Sequence, residues 1–170
     1  MMRRRIPIHR RGGGIWSLVI ALSLAVGSAY WLKPGQRSTN GAAVIVDGDT
    51  IHIGDRTIRL KGIDTPEMRQ TCTLKGRPYR CGDTARSALR DLIGGRPLEC
   101  RNSGRDRYGR ILATCFVAGR NINARLVSDG WAVSYGSEYR FEESQARARG
   151  IGLWAGTFER PQDWRREHTR

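Results

Sequence analysis

Apolar and polar positions along this chain change period several times, and each change marks an element. Ile15 to Leu32 is an uncharged, mostly apolar run of 18 residues. Lys33 to Gly41 is polar and contains Gly and Pro, which reads as a linker. Ala43 to Ile53 alternates loosely and is interrupted at Asp47-Gly48-Asp49, as expected of a strand broken by a bulge or sharp bend. Gly54-Asp55 is a two-residue hairpin signal, and Thr57 to Ile63 is the return strand.

From Cys81 the period lengthens. Ala85, Ala88, Leu89, Leu92 and Ile93 share one helical face, with Asp83 placed as an N-cap and Gly94-Gly95 as a stop. Leu98 to Arg101 and Ile111 to Val117 read as two strands around a basic loop, Ser103 to Arg110. A second helix, Asn121 to Asp129, turns Ile122, Leu126 and Val127 inward and ends at Gly130. Trp131 to Tyr135 is short and β-like. Tyr139 to Gly150 is a third, highly charged helix whose expected buried contacts are Phe141 and Ala148. Strands first, then helices between and after strands, predict an α+β domain, mainly β, rather than a wound parallel sheet. A small closed barrel with helices packed at one side fits the pattern.

Length and charge divide this picture into parts. A chain of 170 residues holds one core and a tail rather than two cores. The net charge is +14. Seven of the 30 Lys and Arg lie in residues 1–37, which hold no acid, leaving 23 basic against 16 acidic side chains beyond. Five arginines before residue 12 precede the apolar run, so residues 1–14 form a basic N-terminus and residues 15–32 a transmembrane segment that sends the rest outward. Trp16 and Trp31 near its ends favour a retained inner-membrane anchor, while Gly27-Ser28-Ala29 offers a cleavage site for a secreted form. On either reading the domain, residues 42–154, is exported to the periplasm or beyond, with residues 33–41 as linker and 155–170 as a C-terminal extension.

Export makes the four cysteines informative, because disulfides persist in oxidising compartments. Cys72 and Cys81 bracket a short loop. Cys100 and Cys115 flank the second candidate hairpin almost symmetrically about Arg107 and Tyr108. Of the three possible pairings we expect Cys72 with Cys81 and Cys100 with Cys115. Zinc is disfavoured, since no CxxC occurs and no histidine lies near a cysteine.

The densest chemistry lies between Asp47 and Glu67. Asp47, Asp49 and Asp64 carry hard oxygen ligands suited to Ca²⁺ or Mg²⁺, and the Gly54-Asp55 hairpin brings Asp49 and Asp64 to one edge of the sheet. Ordinary turn chemistry also explains an isolated Asp-Gly pair. Pro66 stiffens the turn before Glu67, whose carboxylate is placed to deprotonate a water beside a cation. Arg59 lies five residues before Asp64 and so faces the opposite side of the pleat unless the strand bends. Its guanidinium, like that of Arg110, suits bidentate phosphate recognition. Basic charge, oxygen ligands and paired arginines together point to a phosphodiester.

Val46-Asp-Gly-Asp-Thr50, Arg59-Leu-Lys-Gly-Ile-Asp-Thr-Pro-Glu67, Asp106-Arg-Tyr-Gly-Arg110, Asn123 to Leu126 before Gly130, and Glu143-Ser-Gln-Ala-Arg through Gly152-Leu-Trp154 resemble, in order and spacing, the signatures of the staphylococcal nuclease (thermonuclease) family. The resemblance spans about Ala42 to Trp154. It implies a five-stranded OB-fold barrel with three helices and Ca²⁺-dependent hydrolysis of DNA and RNA that leaves 3′-phosphate ends. On the matching positions Asp49 and Asp64 resemble the calcium carboxylates, and Thr65 the residue supplying a backbone carbonyl. Asp47 resembles a nearby acid outside the direct ligand set. Glu67 resembles the general base, and Arg59 and Arg110 the pair that binds the scissile phosphate. Residues 68–82 depart from the family's lysine-rich loop, and Tyr108 and Tyr135 are the candidates for the aromatic that stacks on the nucleotide. In the extension, Trp164 is expected to pack against the barrel, and Arg165 and Arg166 are candidate phosphate contacts. Alternatives are a non-catalytic nucleic-acid-binding OB module and a role in envelope or exopolysaccharide processing. Nothing in the sequence implies a protein partner.

Overall fold

The computed structural model describes residues 37–168. The expected anchor or signal at 15–32 lies outside them, and no helix among them is long and apolar enough to cross a membrane. The chain begins with β1 (Ser38–Gly41), β2 (Val44–Ile45), β3 (Thr50–Ile53), β4 (Arg56–Leu60) and β5 (Ile63–Asp64). A small hairpin, β6 (Thr71–Leu74) and β7 (Arg77–Arg80), leads into α1 (Cys81–Ile93). Next come β8 (Leu98–Arg105), β9 (Ile111–Val117), β10 (Arg120–Asn121), α2 (Ile122–Ser128), β11 (Val133–Ser134) and α3 (Arg140–Arg149). A 3₁₀ turn at Gly152–Ala155 and α4 (Pro161–His168) complete it.

The main sheet runs β1-β8-β9-β4-β3-β2, with β10 added on β9. Its neighbours are antiparallel except β4 and β9, which run parallel with Arg59 opposite Leu112. Alternation in β9 sets the core: Ile111, Ala113, Cys115 and Val117 are buried, against Ile51, Ile58 and Leu60 of the neighbouring strands. Leu89 and Ile93 of α1 and Ile122, Leu126 and Val127 of α2 join that core. Each such side chain contributes about 1.5–3 kcal/mol by leaving water. A second, smaller cluster holds Cys72, Cys81 and Leu153, flanked by Tyr79 and Phe158.

Both expected disulfides are present. Cys100 and Cys115 are direct cross-strand partners on β8 and β9, and Cys72 on β6 is joined to Cys81 at the start of α1. The Gly54-Asp55 hairpin, α1, α2 and the short strand before α3 also lie where the pattern puts them.

Several details differ. The α+β, sheet-rich architecture holds, but the hydrogen-bonded path is open, and the described residues contain four α-helices rather than three. Ser38–Gly41, expected in the linker, is β1, paired with Arg101 to Leu98 of β8. Asp47-Gly48-Asp49 does not bend one strand but reverses the chain, so that Val44 faces His52 and Ile45 faces Ile51. The stapled loop 71–80 is itself a hairpin, with Cys72 opposite Tyr79 and Pro78 tolerated because its ribbon has only two strands. Asp83 is not the cap: Arg80 holds that position and its Nε pairs with Asp83 at 2.6 Å within the first turn. Phe141 and Ala148 are exposed, Phe141 by 70 %. The inward face of α3 is set by Ala146 and Glu143, three residues apart, and Phe141 lies about 200° around the helix from Glu143.

Candidate active site

The turn between β2 and β3 is held by backbone: the amides of Val46 and Asp47 both donate to the Thr50 carbonyl, at 3.0 and 3.3 Å. Asp47 spends its carboxylate on the turn, Oδ1 accepting from the Asp49 amide at 3.0 Å. That leaves Asp49 to point inward, 1 % exposed. Gly48 makes the packing possible, since a Cβ there would lie 2.7 Å from Thr65 Oγ1. The Thr65 amide donates to Asp49 Oδ2 at 3.0 Å, and the Thr50 hydroxyl approaches Oδ1 at 3.4 Å.

Arg59 and Asp64 meet because the return strand breaks. β4 ends at Leu60, and the chain turns at Lys61-Gly62 before β5 resumes. β5 pairs with β11, Asp64 opposite Val133, so the pleat of β4 does not dictate where Asp64 faces. Arg59 therefore bridges the two acids: Nη1 pairs with Asp49 Oδ1, and Nη2 donates to Asp64 Oδ1 at 2.8 Å. Asp64 is 2 % exposed and Arg59 18 %. Burial pushes Asp49 up to about 8; the Arg59 cation offsets this only in part, while Asp47 and Asp64 add to it. Burial works against the Arg59 charge too, but Asp49, Asp64 and Asp47 outweigh it and hold its pKa above the usual guanidinium value.

Glu67 sits at the rim, 36 % exposed, where solvent reaches it. Its position is fixed from behind. Its amide donates to Gln70 Oε1 at 3.1 Å, the Gln70 amide returns to the Glu67 carbonyl at 2.8 Å, and Gln70 is fully buried. The first turn of α1 packs directly on this loop: a Cβ on Gly82 would collide with the Glu67 carbonyl oxygen, so only glycine fits there. The Cys72–Cys81 bond ties the same helix start to β6.

Arg165 of α4 also reaches the acids. Its Nη1 donates to Asp64 Oδ1 at 3.0 Å and Glu67 Oε1 at 2.6 Å, and its Nη2 to Asp64 Oδ2 at 2.8 Å. The bonds to Asp64 raise its pKa, against some desolvation, with Glu67 adding.

Arg110 is placed separately. It precedes Ile111, which pairs with Ile58 beside the Arg59 strand. Its amide and Nε donate to Asp106 at 3.0 and 2.7 Å, and none of its hydrogen bonds among the described residues reaches Asp49, Asp64 or Glu67. Burial works against the Asp106 charge, yet bonds from Arg110 and from the Tyr108 amide hold its pKa below the ordinary value. Anchoring through Nε leaves the two Nη groups of Arg110 to meet a ligand. Tyr108 is exposed beneath the Arg107 and Arg110 guanidinium groups, 4.8 and 5.4 Å from its ring centroid. Tyr135 is exposed beside the Asp64 strand, its amide donating to Gly62 at 2.9 Å. Trp164 is half-buried and stacks on His168 at 4.3 Å, and Arg166 pairs with Asp163. The structure thus joins Asp47, Asp49, Arg59, Asp64 and Thr65 in one hydrogen-bonded group, to which Glu67 is linked through Arg165. Gln70, which holds Glu67, carries no periodic or motif signal that would have singled it out, whereas Asp106, which holds Arg110, opens the Asp106–Arg110 signature but had no role of its own there.

A hard divalent cation fits this donor set. Two buried carboxylates converge on one cationic group, and Asp49 has more burial than Arg59 alone compensates. Asp49, Asp64 and the Thr65 carbonyl would hold it, with water completing the 6–8 oxygens that calcium takes. Among the described residues, the one place where three ligating side chains lie within 4.8 Å is elsewhere, at Glu159, Glu167 and His168 on the surface.

Residues 57–156 match the family model described as Staphylococcal nuclease homologue. The chain is 39 % identical over 158 residues to the succinoglycan biosynthesis protein ExoI of Rhizobium meliloti (strain 1021), covering 89 % of this chain and 83 % of that protein. It is 32 % identical over 144 residues to an uncharacterized endonuclease of Haemophilus influenzae, covering 78 % and 75 % of the two chains. It is 28 % identical over 128 residues to endonuclease YncB of Bacillus subtilis, covering 65 % and 58 %. With more than half of its length matched, and with Asp49, Arg59 and Asp64 folded into one group, the chain belongs to the staphylococcal nuclease family.

Proposed function

We propose that this protein is an exported, Ca²⁺-dependent nuclease that hydrolyses phosphodiester bonds of DNA and RNA with little sequence preference. The observation that carries the reading is the buried Asp49–Arg59–Asp64 group with Glu67 exposed at its rim. The bound cation would supply Lewis-acid polarisation of the phosphate. Arg59 donates one bond from each Nη to an acid, leaving donors for a phosphate oxygen, and Arg110 presents its Nη fork from the β8–β9 loop. Glu67 takes a proton from water as the oxygen attacks phosphorus. The bond to the 5′ oxygen breaks, that oxygen takes a proton from solvent, and the phosphate stays on the 3′ side. Tyr108 and Tyr135 are exposed and available for base stacking, worth about 1–3 kcal/mol per base.

The excess of basic residues beyond position 37 supports a polyanionic substrate. A surface groove of about 490 Å³ lined by Arg140, Arg147 and Arg160 offers further phosphate contacts. The OB-like barrel is read as closed by chain continuity, since the two end strands of the sheet, β1 and β2, are separated only by Ala42-Ala43. Two disulfides support an oxidising compartment, reached through residues 15–32 as anchor or cleaved signal. The full set of acids and arginines argues against a non-catalytic module. A second reading, exopolysaccharide processing, rests on the name of the Rhizobium relative.

End-group analysis tests the bond cleaved. Fragments of 5′-labelled single-stranded DNA are expected to resist extension by a polymerase until a phosphatase removes a 3′-phosphate. Fragments extended directly, with 3′-hydroxyl ends, would place the attack on the other side of phosphorus.

A further inference from the structure

The C-terminal extension puts a cation where the metal belongs. Residues 157–161 are fastened to the domain at several points: Thr157 exchanges two 2.9 Å backbone bonds with Thr73, Arg160 pairs with Glu143 at 3.0 Å, and Pro161 is buried. Gln70 Nε2 donates to the Glu159 carbonyl at 2.7 Å while its Oε1 accepts from the Glu67 amide. The extension and the Glu67 turn are thereby held by one buried side chain. From this base α4 delivers Arg165 to both oxygens of Asp64 and to Glu67.

Those contacts use the same lone pairs that a metal and a water would need. Asp64 Oδ1 already serves Arg59 and Arg165, and Oδ2 serves Arg165. A divalent cation on Asp64 would meet the Arg165 cation at the same two oxygens, and Arg165 Nη1, 2.6 Å from Glu67 Oε1, holds one oxygen of Glu67 away from a water. We infer that Arg165 is a tethered cation that closes the site in the absence of metal: it competes with the divalent ion for Asp64, and binding of the ion ejects it and frees Glu67. This rests on the metal reading of Asp49 and Asp64. Because Arg165 is on the same chain, it competes at the high effective concentration of an intramolecular ligand. Metal affinity of the intact protein is set partly by a residue that is no metal ligand.

Calorimetric titration of the metal-free, purified full chain with calcium chloride tests this, comparing wild type, Arg165→Ala, Arg165→Lys and Arg166→Ala. Arg165→Ala is expected to tighten calcium binding by about fivefold to tenfold, the scale of a lost, partly exposed bidentate pair. Arg165→Lys keeps the charge and stem but not the fork, so it tightens binding by a smaller factor and keeps the test decisive if the alanine variant folds poorly. Arg166→Ala removes the same charge one position along and is expected to stay within about twofold of wild type, since among the described residues Arg166 pairs with Asp163 and not with Asp64 or Glu67. Binding unchanged or weakened in both Arg165 variants, or tightened equally by Arg166→Ala, would overturn the inference. Calcium binding by none of the four proteins would overturn the metal reading and this inference with it.

Discussion

Arg59→Met is expected to destabilise the protein by about 3–5 kcal/mol and to remove most of its activity. Asp49 and Asp64 are buried to 1 % and 2 %, and Arg59 bridges them. Removing one partner of a buried ionic group leaves uncompensated charge, which costs far more than an exposed pair is worth. The loss has a pH signature. The Asp49 carboxyl, already raised to about 8 by burial, moves higher still without Arg59. Its unfolded value is about 3.9, so between these limits the folded state holds more protons than the unfolded state. Stability then falls as pH rises through that window. Wild type shares that loss up to about 8, where it levels off, so the variant is closest to wild type near pH ~7 and most impaired above pH ~9. Urea unfolding at the two pH values measures the difference. A uniform loss at both would mean that Arg59 packs rather than compensates charge. Loss of one phosphate-binding donor should also lower kcat by about 10²–10³.

Glu67→Gln separates chemistry from structure. The glutamine keeps the shape and loses the base, so kcat is expected to fall by about 10²–10⁴. Stability should change little, because Glu67 is 36 % exposed and its pairing with Arg165 is of the kind worth ~0–1 kcal/mol. Steady-state kinetics on single-stranded DNA, with KM and the thermal midpoint measured alongside, distinguish the cases. An unchanged kcat would remove Glu67 as the base, and a collapsed midpoint would make it a structural residue.

What the sequence made legible was local. Gly54-Asp55 names its own turn, and the spacing of Ala85, Leu89 and Ile93 marks α1 over a few residues. Cys100 and Cys115 face one another because their hairpin is nearly symmetric. Where neighbours in space were distant in sequence, the pattern was silent. β1 has no apolar alternation to announce it, since Ser38–Gly41 gains its place by pairing with β8. Gln70 is polar and buried for reasons visible only once Glu159 lies beside it. Arg165 could be named as a phosphate contact, but not as a partner of Asp64, which lies 101 residues earlier in the chain. Phe141 was misplaced because hydrophobicity outweighed phase, whereas the fold buried Ala146 and gave Glu143 to the Ser134 amide. Arg59 needed a broken strand that pleat counting does not contain.

The most direct test is cleavage of single-stranded DNA by the purified full chain under metal control. Hydrolysis should appear with calcium, stop with a chelator, and return when calcium is added in excess. Cleavage that persists at full rate in chelator, or binding to DNA with no cleavage in calcium, would contradict a metal site built on Asp49 and Asp64.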